Sequence, residues 1–209
     1  MDETNDEEKL ARDAAEDAYQ DVDKRKESIG GYEYQQDLSD KRTAVYHNPT
    51  NNESHIAFRG TRDAKDAFTD TLDPRGNIMT GSQGMNPLYK SDVAIYDKVS
   101  ARHGGPISLS GHSLGGSRAE HVSRKRNAKA NTFNLGRGVG MVGLATQVYH
   151  QARCNLPGAP AYCDKITRHR IRGDPLSVVD KISYGKHKTY KTRWFKSHSM
   201  GNFSNKKKR

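Results

Sequence analysis

The 209-residue sequence predicts an α/β fold built on a largely parallel central sheet flanked by helices. Three observations carry this expectation. Helical and strand periodicities alternate along the chain. A glycine-rich turn, Gly111-His112-Ser113-Leu114-Gly115-Gly116, joins a short apolar run to a helical one. The polarity that argues against a core is gathered at the two ends and in one long loop. Leu, Ile, Val and Phe supply only 33 residues, mean hydropathy is -0.98 and net charge is +10. Such a composition ordinarily signals disorder. Residues 1–23, however, hold ten acids against Lys9 and Arg12, and residues 181–209 hold ten bases and no acid. What lies between is dense enough in apolar residues for a compact domain.

Taken in order, Leu10, Ala14, Ala15, Ala18 and Val22 recur at helical spacing, with Tyr19 on the same face, and predict a helix over 4–26. Acids crowd its first turns, where the helix dipole favours them. Gly30-Gly31 is expected to end it. RTAVYH (42–47) and HIAFR (55–59) read as strands across the turn-forming Asn48-Pro49-Thr50-Asn51-Asn52. Residues 61–86 read as a long polar loop. Helical spacing returns over 87–102 through Leu88, Val93, Ile95, Tyr96 and Val99, and Gly104-Gly105 terminates it. Pro106-Ile107-Ser108-Leu109-Ser110 reads as a buried strand, 114–126 as a helix, and 130–135 and 166–172 as strands. Residues 136–163 are expected to be largely irregular, and the chain beyond Asp180 mostly polar. The expected organisation is an acidic helical segment over 1–30 packing on a domain over 31–204, with a basic tail at 205–209.

Cys154 and Cys163 fit neither zinc-knuckle nor CxxC spacing. They read as two free thiols of a reducing compartment, with a loop-closing disulfide as the alternative. No metal or cofactor is expected. The acidic N-terminus lacks the basic and apolar regions of a secretory signal, and no run approaches the ~18 apolar residues of a membrane helix. The default expectation is a cytoplasmic location, or a virion-associated one for a viral chain.

The chemistry centres on Ser113. A strand that turns into a helix this tightly puts the central residue into a strained backbone conformation and projects its hydroxyl above the sheet. Glycines two before and two after it, Gly111 and Gly115, remove the Cβ atoms that would collide. A serine nucleophile needs a base and an orienting acid, in chain order Ser, Asp, His for this arrangement. Active sites of parallel sheets lie at the carboxyl ends of the strands. Asp174 follows the strand ending at Arg172 and is the expected acid. Glu120 lies on the helix behind the turn, Asp164 precedes the strand, and Asp180 is a weaker rival. Among the later histidines, His121 is on the helix, His150 precedes the acid and His169 is mid-strand. His187 sits between two lysines, which leaves His198, in Ser197-His198-Ser199-Met200-Gly201-Asn202-Phe203, as the expected base. Two backbone donors complete the set: the N–H of Leu114, and that of Thr61 after the strand end Phe58-Arg59-Gly60.

IAFRGT, SLSGHSLGGSRAEHVSR, RIRGDPLSVV and HSMGNF together resemble the class 3 (fungal-type) lipases of the α/β-hydrolase superfamily, over about Leu10 to Phe203. The resemblance implies an α/β-hydrolase, lipase-like domain in which Ser113, Asp174 and His198 form the triad and Thr61 and Leu114 the oxyanion hole. It also implies that His112 supports the elbow without acting as base. The family's lid would fall within 62–86. Ala67, Phe68, Leu72, Ile78 and Met79 are few for an amphipathic flap, so a compact enzyme with little or no lid is expected. The implied activity is ester hydrolysis of lipids, of the lipase, esterase or phospholipase type, with a lipid or small ester as substrate.

The charge supplies a reading from another class. Arg118, Arg124, Lys125, Arg126 and Lys129 cluster on and after the elbow helix. An inactive or moonlighting protein on a hydrolase scaffold would use such patches to bind nucleic acid or an anionic phospholipid surface. No zinc-finger, helix-turn-helix or RNP pattern accompanies them.

Overall fold

The computed structural model describes residues 3–62, 87–135, 141–172, 184–190 and 200. Among these residues the α-helices are α1 (Glu3–Asp17), α2 (Pro87–His103), α3 (Leu114–Arg126) and α4 (Met141–Cys154). Eight strands are β1 (Ser28–Ile29), β2 (Tyr32–Tyr34), β3 (Thr43–Asn48), β4 (Glu53–Phe58), β5 (Ile107–His112), β6 (Lys129–Phe133), β7 (Ile166–Ile171) and β8 (Lys186–Tyr190). They form one sheet in chain order. β1 to β4 pair antiparallel, and β4 through β8 run parallel. The α/β class expected from the sequence is the one observed.

Alternation along the strands divides the core between two faces. On one, Val45, Ile56, Phe58, Leu109, Ala130 and Ile166 meet Val99 of α2 and Ala119 and Val122 of α3. On the other, Ala44, Tyr46, Ala57, Phe133 and Ile171 lie under α1. α1 and the turn after it bury Leu10, Ala11, Ala14, Ala15 and Ala18 on this face. Polar groups are also buried in the sheet. His55 bridges Ser108 and Ser110 at 2.7 and 2.8 Å. His169 spans Asn131 Oδ1 and the Tyr190 hydroxyl, each at 2.9 Å. The acidic N-terminal segment does meet the basic C-terminal one through Glu8 and Lys188, and Glu7 pairs with Lys129 of β6.

Four expectations are corrected. The first helix ends at Asp17, well short of 26. Gly30-Gly31 is no helix stop. Both have positive φ (57° and 83°), and they form the two-residue turn of the β1–β2 hairpin, where Ile29 faces Tyr32. Residues 141–154, expected to be irregular, are helical, and β8 lies in the polar stretch after Asp180. Finally, Cys154 and Cys163 are disulfide-bonded, with Cα atoms 5.7 Å apart. A single-turn helix, Ala161–Asp164, folds the chain back so that Cys163 reaches the end of α4.

Candidate active site

β5 delivers the chain to the carboxyl edge of the sheet, and α3 begins at once at Leu114. Between them Ser113 adopts φ 55° and ψ -125°, which costs a non-glycine residue of order 1–3 kcal/mol. The surroundings enforce it. Ser113 N–H donates to Phe133 O (3.0 Å), and Gly116 N–H donates to Ser113 O (3.0 Å). A Cβ on Gly111 would lie 2.2 Å from Gly115 O, and one on Gly115 would lie 2.0 Å from Phe58 O. Both glycines are therefore required by backbone crossing. Ser113 stays partly exposed while Gly111, His112, Leu114 and Gly115 are buried. As the first residue of α3, Leu114 has a backbone N–H without an intrahelical acceptor.

The segment after β4 lies against this elbow. A Cβ on Gly60 would fall 2.7 Å from His112 O and 3.2 Å from Ser113 Cβ, so only glycine allows the approach. Thr61 follows and is exposed. Two side chains that the sequence reading left unassigned hold this segment. The Tyr19 hydroxyl accepts from Gly60 N–H (3.2 Å) and shares a hydrogen bond with His112 Nδ1 (2.9 Å). Burial pushes the Tyr19 phenol up to about 12, so it stays protonated at neutral pH. From the other side, Arg118 of α3 donates to Arg59 O (2.9 Å), Arg42 O (2.8 Å) and Thr43 Oγ1 (3.1 Å). Its remaining donors grip Asp92 of α2 at 2.9 and 2.5 Å. The pair is completely buried, and the guanidinium lies over the Phe58 ring. The sequence puts Tyr19 on the apolar face of a helix expected over 4–26 and Arg118 in a surface patch; in the fold Tyr19 lies just past α1 and Arg118 is buried. No local signal marks either role, because their partners lie far along the chain.

That surface patch is largely neutralised. Besides Arg118, Arg124 pairs with Glu120, Arg126 with Asp97 and Lys129 with Glu7. The described histidines after the elbow are engaged in structure. His121 is edge-on to Tyr89 and burial lowers its pKa to about 4. His150 bonds the Tyr162 hydroxyl, and burial holds His169 near 3. His187 lies on β8, in register with Arg168. Asp164 sits at the amino end of β7. Asp174 and His198 lie outside the described residues, as do all but Arg62 of residues 62–86. β7 runs parallel to β5 within the sheet, so it ends at Ile171 on the edge that carries Ser113. Among the described residues, no group of His, Cys, Asp and Glu converges as a metal site requires, and no helix is long and apolar enough to cross a membrane.

A sequential sheet with a strained serine between strand and helix defines the α/β-hydrolase class. The chain superposes on solved lipases of this fold. Lip2 lipase of Yarrowia lipolytica matches with TM-score 0.52 and 15% identity, over 98% of this chain and 92% of that one. Lipase II of Rhizopus niveus matches with TM-score 0.57 and 19% identity, over 95% and 84%. A variant of MDLA from Penicillium cyclopium matches with TM-score 0.56 and 17% identity, over 92% and 81%. No curated protein is matched by sequence. The family model for the Tle-like phospholipase domain, a phospholipase-like group, matches residues 4–201, and the chain belongs to that family.

Proposed function

We propose that this protein is a serine hydrolase of carboxylic esters in lipids, phospholipids foremost. Ser113 attacks the acyl carbonyl and His198 takes its proton. Asp174 orients His198 and stabilises its positive charge. The N–H groups of Thr61 and Leu114 receive the oxyanion. Collapse of the tetrahedral intermediate passes the proton to the leaving alcohol and leaves an acyl-Ser113. Water, activated by the same histidine, releases the acid. The observation that carries this reading is the backbone of Ser113, held in a strained conformation at the carboxyl edge with Gly60 packed against its Cβ. Strain of this kind persists only where the surroundings enforce it. The phospholipid preference rests on the family to which the chain belongs.

The test is Ser113→Ala, assayed on p-nitrophenyl butyrate and on phosphatidylglycerol. The expected result is loss of turnover on both, loss of fluorophosphonate labelling and an unchanged urea midpoint. Turnover at the wild-type level would overturn the assignment. Activity on short esters and triacylglycerol but none on phospholipid would overturn the substrate class alone.

A further inference from the structure

Over residues 145–154, helix α4 turns polar side chains inward and apolar ones outward. Gln147, His150, Gln151 and Cys154, at helical spacing, face the body of the protein. Gln147 is buried to 3% exposure, and its amide has no hydrogen-bond partner among the described residues. His150 bonds the Tyr162 hydroxyl, and Cys154 is bridged to Cys163. The opposite stripe, Ala145, Val148, Tyr149 and Ala152, faces out, and Leu156 follows in the turn beyond the helix. Val148, Tyr149 and Leu156 are 50%, 55% and 62% exposed, and they are the large hydrophobics left exposed among the described residues. Scattered exposed apolar residues need no explanation; their concentration on one fixed stripe does.

The charges around the stripe select its occupant. No Asp or Glu occurs between Glu120 and Asp164. Arg153 stands beside the stripe and donates to the Tyr149 hydroxyl at 2.9 Å. An apolar stripe carrying an aromatic hydroxyl, flanked by arginine and free of carboxylates, has the chemistry of a helix lying in the headgroup region of an anionic bilayer. A second copy of this chain fits less well, because each carries +10.

We infer that the outer face of α4 docks the protein onto anionic phospholipid surfaces. This rests on the lipid-hydrolase reading for its purpose, though the docking is separable from catalysis. The disulfide and the His150–Tyr162 bond fix the helix so that the stripe is presented permanently.

Co-sedimentation with vesicles of phosphatidylglycerol and phosphatidylcholine tests this, comparing the full chain with Val148→Ser/Tyr149→Ser/Leu156→Ser. The triple variant is expected to lose about tenfold or more in vesicle affinity. Its hydrolysis of soluble p-nitrophenyl butyrate is expected to match wild type. Ser113→Ala is expected to bind vesicles normally, so failure of the catalytic reading would leave the docking result standing. Equal vesicle binding by wild type and the triple variant would overturn the inference. So would stronger binding to pure phosphatidylcholine than to the anionic mixture. Concentration-dependent self-association without lipid, abolished by the triple substitution, would assign the face to a second copy and equally overturn it.

Discussion

Tyr19→Phe removes one oxygen and leaves the ring in place. That oxygen is the acceptor for Gly60 N–H at 3.2 Å and the partner of His112 Nδ1 at 2.9 Å. A buried N–H left without its acceptor costs about 1–3 kcal/mol, so the free energy of urea unfolding is expected to fall by that order. The effect on turnover has a ceiling and a floor. Outright loss of one oxyanion donor costs on the order of 10²- to 10³-fold in kcat. Tyr19→Phe keeps the donor proposed at Thr61 and frees one side of its segment, while Arg118 still holds Arg59 O at 2.9 Å. An intermediate loss in kcat, about tenfold, is therefore expected, with KM on p-nitrophenyl butyrate nearly unchanged, because the donor acts in the transition state. The pH profile is expected to keep its shape, since the phenol stays protonated throughout the working range. A variant with wild-type kcat would refute the argument that Tyr19 positions this segment. A large rise in KM at constant kcat would show that it serves substrate binding instead.

Gly115→Ala would place a methyl group 2.0 Å from Phe58 O, where only backbone could yield; a loss of about 3 kcal/mol or more in urea unfolding, or insoluble protein, is expected, and a wild-type midpoint would contradict the crossing. Arg118→Met leaves the Asp92 carboxylate buried without its partner and is expected to cost about 3–5 kcal/mol by the same measurement; a loss under about 1 kcal/mol would refute it. Burial holds His55 and His169 neutral, with pKa lowered to about 3 in the fold. Unfolded histidines bind protons below pH ~6.5 and these cannot, so each is expected to lose about 2 kcal/mol of stability by pH 5, and a urea midpoint equal at pH 7 and 5 would show the reasoning wrong.

How much of this was legible in the sequence follows from the range over which each feature is encoded. The elbow is local: strand, glycines, serine and helix are contiguous, and 114–126 was read with the observed boundaries. β3, β4 and α2 were likewise legible, because their apolar residues recur with the period of the element that buries them. The β1–β2 hairpin was not. It is only two and three residues a side, and Gly30-Gly31 punctuates a helix and a hairpin with the same letters. α4 is obscured for a different reason. Gly136, Gly138, Gly140 and Gly143 crowd its approach, and Cys154 and Pro157 close it. These turn formers outweigh the helical recurrence of Ala145, Val148, Tyr149 and Ala152.

The positioning of the site belongs to a third category, invisible to any local pattern. Tyr19 reaches partners 41 and 93 residues away, and Arg118 reaches Asp92, Arg59, Thr43 and Arg42 across 26 to 76 residues. Periodicity tells which side of a helix is buried, yet Arg118, read as part of a surface patch, is fully buried, and Tyr19 is half-buried just past the end of α1. It does not tell what a buried hydroxyl or guanidinium will find there. In this fold each finds the segment leading to Thr61, Tyr19 from the turn that follows α1 and Arg118 from α3. The two helices pack on opposite faces of the sheet, and these side chains close on the same strand end from both sides. Rigidity at Gly60 is thus a property of the whole two-faced sandwich. Loosening of α1, whose buried stripe consists largely of alanines, is expected to reach the segment leading to Thr61 before it reaches the elbow itself, whose serine is fixed by β6 and α3.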